Sequence, residues 1–243
     1  MMVDRIPTGI EGLDRLIEGG IPKFTSGVIM TDRRSPGALF GKQILWNSLT
    51  RGLSCAYFHT RYSSREEFLN EMAGHGWNIE AYVGRGSLLI VDYVELAELT
   101  PEEERSKRFT GDARKIEGRI ISAAKLTELT RTANYDFALY DDIDLLFRRI
   151  EKTQFVDWAE TVAKHQKERG GVALALVYQG TLPTDMMAFV ERLGADCVIE
   201  LRTDESPDGM LQHYFRVPRM KATSIVRHGW TPYMSDKQGI TTV

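Results

Sequence analysis

Short apolar runs alternate with amphipathic stretches along almost the whole chain, and this alternation restricts the architecture more than any other feature. Strands are predicted at Gly27–Met30, Cys55–His59, Leu88–Asp92, Phe137–Tyr140, Val172–Tyr178 and Cys197–Leu201. Helices are predicted at Glu11–Glu18, Gly37–Arg51, Ser64–Ala73, Asp112–Arg131, Lys152–Arg169 and Asp185–Leu193. A run such as VALALVY is apolar at consecutive positions, so both of its faces must be covered. Strand–helix alternation of this kind implies a mostly parallel sheet with right-handed crossovers. From about Leu211 the pattern changes to strands without helices, HYFRV and SIVRH, which predicts an antiparallel extension of the same sheet.

With 243 residues, 42% of them hydrophobic, the chain has enough apolar material for a core. We expect one domain over 1–243, with a charged, solvated loop at 95–115. A net charge of −3 argues against coating nucleic acid by bulk electrostatics. Cys55 and Cys197 lie in apolar strand-like runs and are expected to be buried free thiols. The N-terminus has no apolar signal core and no run is as long as a membrane-spanning helix, so the expected compartment is cytoplasmic, with no membrane partner.

Three separated blocks carry a family resemblance. Arg5 to Asp14 (RIPTGIEGLD), followed by Gly19 to Pro22 (GGIP), resembles an opening motif in which Thr8 and Gly9 shape a turn and Leu13 begins a short helix. Phe137 to Asp141 (FALYD) resembles the strand whose terminal aspartate helps hold Mg²⁺ in such ATPases. Phe215 to Thr223 (FRVPRMKAT), with Trp230 to Tyr233 and Gly239–Ile240, resembles a set of closing strands. In this order the blocks are similar to the KaiC/RadA branch of the RecA superfamily. The resemblance implies an α/β RecA-like P-loop NTPase fold, with a mostly parallel central sheet flanked by helices and antiparallel C-terminal strands.

The sequence departs from that family where phosphate chemistry is done. A P-loop, G-x-x-x-x-G-K-[ST], uses glycines to close backbone N–H groups around phosphates, lysine to neutralise them and a hydroxyl to reach Mg²⁺. Thr31 to Ala38 reads TDRRSPGA. Thr31 and Pro36 stand at the glycine positions, Gly37 at the lysine and Ala38 at the hydroxyl. Pro36 has no N–H to donate, and Asp32 puts a negative charge where phosphates would sit. A shifted register on Gly41-Lys42 fails, because the residue after Lys42 is Gln43 and the required earlier glycine is Pro36. The plain reading is a helix start with Ser35 as N-cap and Pro36 as first helical residue. After Cys55–His59, where the family places an acidic pair, the chain has Thr60-Arg61-Tyr62, and arginine is no general base.

Arg33, Arg34, Ser35, Gly37 and Asp141 are the residues of a remnant nucleotide site, with no catalytic or metal-binding set. Asp142 and Asp144 read as a strand-end acidic cluster facing solvent or pairing with Arg148 and Arg149. Gln179 stands where RecA-type proteins sense a terminal phosphate, and equally reads as an ordinary polar strand end. Arg219 and Lys221, flanking Met220, resemble a basic finger that KaiC-like rings insert into a neighbour's ATP site, with the two basic identities exchanged. A half-exposed strand with a basic face explains them equally well.

No cofactor is expected, MgATP on an altered loop being the alternative. The leading expectation is a catalytically inactive assembly, regulatory or signalling subunit. Its partner would be itself or an active KaiC/RadA-type ATPase whose site it completes in trans. Two alternatives stay open. One is a nucleic-acid-binding recombination accessory protein using the basic tail Arg216–Arg227 with His228 and the loop Gly180–Asp185. The other is an enzyme in which Arg33 and Arg34 replace the lost lysine.

Overall fold

The structure, a computed structural model, describes residues 3–59, 65–92, 123–132, 134–148, 150–193, 196–225 and 229–242. The expected loop 95–115, the Thr60-Arg61-Tyr62 segment, Arg149, Arg227 and His228 lie outside these residues. So does the first part of the helix expected at 112–131.

The elements run β1 (Arg5–Ile6), α1 (Glu11–Leu16), β2 (Ile21–Pro22), β3 (Thr25–Thr31), α2 (Gly37–Thr50), β4 (Cys55–His59), α3 (Arg65–Gly74), α4 (Glu80–Gly84) and β5 (Leu88–Asp92). They continue as α5 (Ala123–Thr132), β6 (Phe137–Asp141), α6 (Ile143–Phe147), α7 (Lys152–Arg169), β7 (Val172–Tyr178) and α8 (Thr184–Leu193). The last four are β8 (Cys197–Glu205), β9 (Leu211–Met220), β10 (Thr231–Asp236) and β11 (Gly239–Thr242).

Among the described residues nine strands form one sheet in the order β11-β10-β9-β8-β3-β7-β6-β4-β5. Strands β8 and β3 through β5 are parallel, whereas β9, β10 and β11 add antiparallel to β8. The antiparallel tail is where the sequence placed it, with one correction. Its strands after HYFRV are Thr231–Asp236 and Gly239–Thr242, and Ser224 and Ile225 of the expected SIVRH strand are not in a strand. Three short features, the β1–β2 pair, α4 and α6, had no periodicity long enough to announce them.

Crossover handedness decides which helix covers which face. The chain leaves β3 through α2 toward β4 on one side and returns from β6 through α7 to β7 in the opposite direction. Right-handed connections then place α2 and α7 on opposite faces. Alternate strand residues serve the two cores accordingly: Val172, Leu174 and Leu176 join the α2 side, and Ala173 and Val177 the α7 side. On α2, Phe40 is fully buried, with ring centroids 6.0 Å from Phe215 and 5.8 Å from Tyr233. That packing ties the helix to the C-terminal strands, and burial of such a ring contributes about 1.5–3 kcal/mol. Gln43 reinforces it, donating to the carbonyl of Ile240 at 3.0 Å and accepting the amide N–H of the same residue.

The opening motif is structural. The Asp14 carboxylate accepts from the Thr8 amide and hydroxyl, both at 2.7 Å, and from the Gly9 amide at 3.1 Å. The helix begins at Glu11, as the apolar spacing predicts, two residues before the start at Leu13 that the resemblance implied. Gly20 has φ +145°, and a Cβ there would stand 2.4 Å from the Ile6 carbonyl oxygen, so only glycine fits. Both cysteines are buried and free, and burial pushes the Cys197 thiol up to about 12, which leaves it inert. Among the described residues no helix is long and apolar enough to cross a membrane.

Candidate functional site

In open α/β sheets ligands bind outside the carboxyl ends of the strands, where successive connections diverge. Here that place lies beyond Thr31, Asp141 and Tyr178, the ends of β3, β6 and β7. The segment Asp32–Pro36 joins β3 to α2 above it, and its conformation is set from inside the chain. Oδ1 of Asp32 accepts the amides of Arg34 at 2.8 Å and Ser35 at 2.7 Å, and Oδ2 accepts the amide of Thr203 on β8 at 2.6 Å. Burial works to raise the Asp32 pKa, but these three amides outweigh it and hold the carboxyl below its ordinary value. A carboxylate of the chain therefore occupies backbone donors of the kind that would otherwise face an anion.

Ser35 does not cap the helix. Its hydroxyl is buried against Thr203 Oγ1 at 2.8 Å, which in turn meets His213 Nδ1 at 2.8 Å. Pro36 takes the N-cap position instead, its carbonyl accepting the Phe40 amide at 3.0 Å, and the helix starts at Gly37. The reason is that β8 offers Ser35 a fixed hydroxyl partner that no local pattern reveals. Gly37 has no room for a side chain: a Cβ there would lie 2.8 Å from Thr31 Oγ1 and Cγ2. Thr31, standing at a glycine position of a P-loop, thus excludes a side chain from Gly37, which stands at the lysine position.

The remaining site residues separate. Arg33, Ser35 and Gly37 line one cleft of about 450 Å³ together with Pro36, Ala38, Asp142, Asp144, Arg148, Tyr178 and Thr181. Arg34 turns away and binds β8, donating to the Thr203 carbonyl at 3.0 Å and pairing with Glu205 at 3.4 Å. Asp141 is 1% exposed and is not among the residues that line the cleft. Its Oδ2 accepts the Tyr57 hydroxyl at 2.6 Å and stands 4.0 Å from the ammonium of Lys42. Lys42 is itself buried, pairs with Glu71 at 2.7 Å and lies over the Tyr57 and Phe68 rings. Sequence reasoning examined Lys42 only as a displaced P-loop lysine and missed it as an internal counter-ion of Asp141. The available signal was a lysine inside the apolar spacing of α2, one residue after a glycine that packs on Leu139.

Asp144 is not on a solvent-facing cluster. It is 2% exposed in α6, and its Oδ2 accepts the Tyr178 amide at 2.8 Å. Asp142 turns the chain into that helix with φ +59°. The Gln179 amide donates to the Thr31 carbonyl at 2.8 Å, and its residue is exposed outside the cleft. The Gly180–Asp185 segment is a tight turn leading into α8, with Leu182 buried and Asp185 paired to Lys152. Arg219 and Lys221 are exposed on either side of buried Met220, near the start of β8, where Met220 pairs with Cys197. Lys221 donates to the Phe24 carbonyl at 3.2 Å, just before β3 begins. They stand at the end of the sheet opposite the cleft.

A family model described as "ATPase: KaiC" matches residues 6–243. A UPF0273 protein of Methanopyrus kandleri is 26% identical over 212 residues, covering 82% of this chain and 83% of the relative. A UPF0273 protein of Thermotoga maritima is 25% identical over 229 residues, covering 92% and 89%. The circadian clock oscillator protein KaiC of Prochlorococcus marinus is 33% identical over 92 residues, 38% of this chain and 18% of that protein. Among solved structures, a KaiC-like protein from Pyrococcus horikoshii has a TM-score of 0.75 over 100% of both chains at 20% identity, a likeness of fold.

Proposed function

The chain belongs to the KaiC family of ATPases, and from that membership we propose that it is a non-hydrolysing member, an assembly or regulatory subunit that completes an active relative's ATP site in trans. The observation that carries the reading is Asp32 seated on the amides of Arg34, Ser35 and Thr203. A triphosphate approaching these donors would meet a fixed negative charge and an already closed turn, and displacing the carboxylate would forfeit its three backbone hydrogen bonds. Two further features support it. Gly37 supplies no ammonium and tolerates no side chain. Asp141 has Lys42 and Tyr57 as its charge and hydrogen-bond partners in place of a metal held by hydroxyl and phosphate.

Position supports the trans role: Arg219 and Lys221 are exposed at the end of the sheet away from their own cleft, out of reach of their own nucleotide site. The enzyme alternative relied on Arg33 and Arg34 together, and Arg34 is committed to Thr203 and Glu205. For nucleic acid, Arg202 and Arg216 do stack on Trp230 at 4.2 and 4.6 Å, but each is paired to a carboxylate, Asp204 and Glu200. Neutralised arginines give little phosphate attraction.

The test is ATP turnover by an active KaiC-family ATPase titrated with this protein. Turnover should change severalfold on mixing, and the change should vanish with Arg219→Ala/Lys221→Ala, whose substitutions lie on the surface. Turnover that is indifferent to the protein, or equally altered by the double variant, would overturn the trans role.

A further inference from the structure

Arg5 lies at the start of the opening motif, yet its guanidinium is occupied by residues from near the other end of the chain. Its side chain is 12% exposed. Nη1 donates to Thr223 Oγ1 at 2.9 Å and shares its hydrogens with the carbonyls of Gly20 at 3.1 Å and Ile17 at 3.2 Å. Nη2 donates to the Ala222 carbonyl at 2.7 Å and to Oε2 of Glu18 at 2.6 Å. The other oxygen of Glu18 accepts the Ser224 amide at 3.2 Å, and the Thr223 hydroxyl donates in turn to the Lys221 carbonyl at 2.9 Å. One guanidinium and the carboxylate beside it thus hold four successive residues, 221–224, directly or through one hydroxyl.

The turn they hold leaves β9 in a conformation that needs support. Ala222 has φ +49° and Glu18 φ +55°, left-handed backbone that is disfavoured for any residue with a Cβ. Such backbone persists where surrounding bonds over-determine it, and Arg5 bonds to both residues. A planar guanidinium reaches carboxylate, hydroxyl and carbonyls at once, which a lysine ammonium cannot copy. Lys221 is the first residue of this turn. Its amide donates to the Asp196 carbonyl at 2.6 Å, and its exposed ammonium rests on the Phe24 carbonyl. A phosphate readily replaces a single exposed hydrogen bond to a neutral carbonyl. We propose that Arg5 is the positioning residue of the basic segment: with Glu18 and Thr223 it fixes the turn 221–224, and so the direction in which Lys221 leaves the surface toward a neighbour's nucleotide. Arg219, whose backbone is held by the pairing of β9 with β8, is independent of this clamp. The inference rests on the trans role proposed above and gives the opening motif a part in it.

Variants of the full chain, titrated into an active KaiC-family ATPase, test it. Arg5→Lys, which keeps the charge and loses the fork, should reduce the change in turnover about tenfold, as misplacing a working group does. Lys221→Ala should reduce it as much, and Arg5→Lys/Lys221→Ala no further than Lys221→Ala alone, whereas the losses from Arg5→Lys and Arg219→Ala should multiply. Thr223→Val, which removes only the hydroxyl bridge, should give a smaller loss with the same dependence on Lys221. A spin label on Ser224→Cys reports the turn directly, since Cys55 and Cys197 are buried. Arg5→Lys should mobilise that label and leave one on Gln238→Cys, in the β10–β11 turn at the other end of the sheet, unchanged. Losses that multiply between Arg5 and Lys221, a label at 224 that stays ordered, or loosening of both labels alike would overturn the inference and leave the trans role standing. If the unaltered protein does not change the partner's turnover, the proposed function falls and the inference with it.

Discussion

Two aspartates at the carboxyl end of the sheet respond to their surroundings with opposite signs. Asp32, held below its ordinary value by three amides, contributes stability that is present above that value and lost as the pH falls through its folded pKa. Asp144 is the reverse case. Its folded carboxyl stands near 6 against 3.8 ordinarily, first because it is buried. The folded state thus holds the proton more tightly, so this group's contribution is most favourable below about 4 and is lost as the pH rises from about 4 through 6. Two pKa units correspond to a cost on the order of 2–3 kcal/mol at neutral pH. Asp144→Asn should therefore be the more stable protein at pH 7.5 by that amount and no more stable near pH 4, as measured by urea unfolding at both. A gap of equal size at the two pH values would show that ionisation is not the cause.

At the scale of elements, α2 starts without the groups of a phosphate-binding helix while packing on the sheet. Its start at Gly37 and its close approach to β6, where a Cβ on Gly41 would lie 2.9 Å from Leu139, leave no slack. Gly37→Lys should accordingly destabilise the protein by about 1–3 kcal/mol through overpacking on Thr31. Combined with Thr31→Gly, the pair should cost about 1–2 kcal/mol less than the sum of the single changes in a double-mutant cycle of thermal or urea unfolding. Additive losses would mean that the two positions do not exclude each other.

The elements themselves were legible, because buried parallel strands leave continuous apolar runs: Cys55–His59, Leu88–Asp92 and Val172–Tyr178 match in sequence and structure. Of the candidate site, only residue types were legible. Thr31, Pro36, Gly37 and Ala38 declare missing groups by their types, and Asp32 was readable as a charge in the phosphate position. What replaced those groups was hidden, since Lys42, Tyr57, Glu71 and Thr203 reach the site from four elements. No spacing along the chain connects Tyr57 with Asp141, or Ser35 with Thr203. Arg34 was misplaced for the same reason, its partners lying on β8.

For the whole molecule, the antiparallel extension β9–β11 is what separates the cleft from Arg219 and Lys221. β9 runs back along β8, so residues at its far end arrive beside Cys197 and Phe24, a full strand length from Thr31. Under the proposed function this separation makes association a requirement, with one molecule's basic segment meeting another's nucleotide. The chain's own nucleotide site is then free to lose its chemistry. Calorimetric titration of the purified protein with MgATP decides the matter. We expect no saturable heat and a Kd weaker than about 1 mM, with or without magnesium. Magnesium-dependent binding in the range of about 10–100 µM, lost on replacing Asp141, would contradict it.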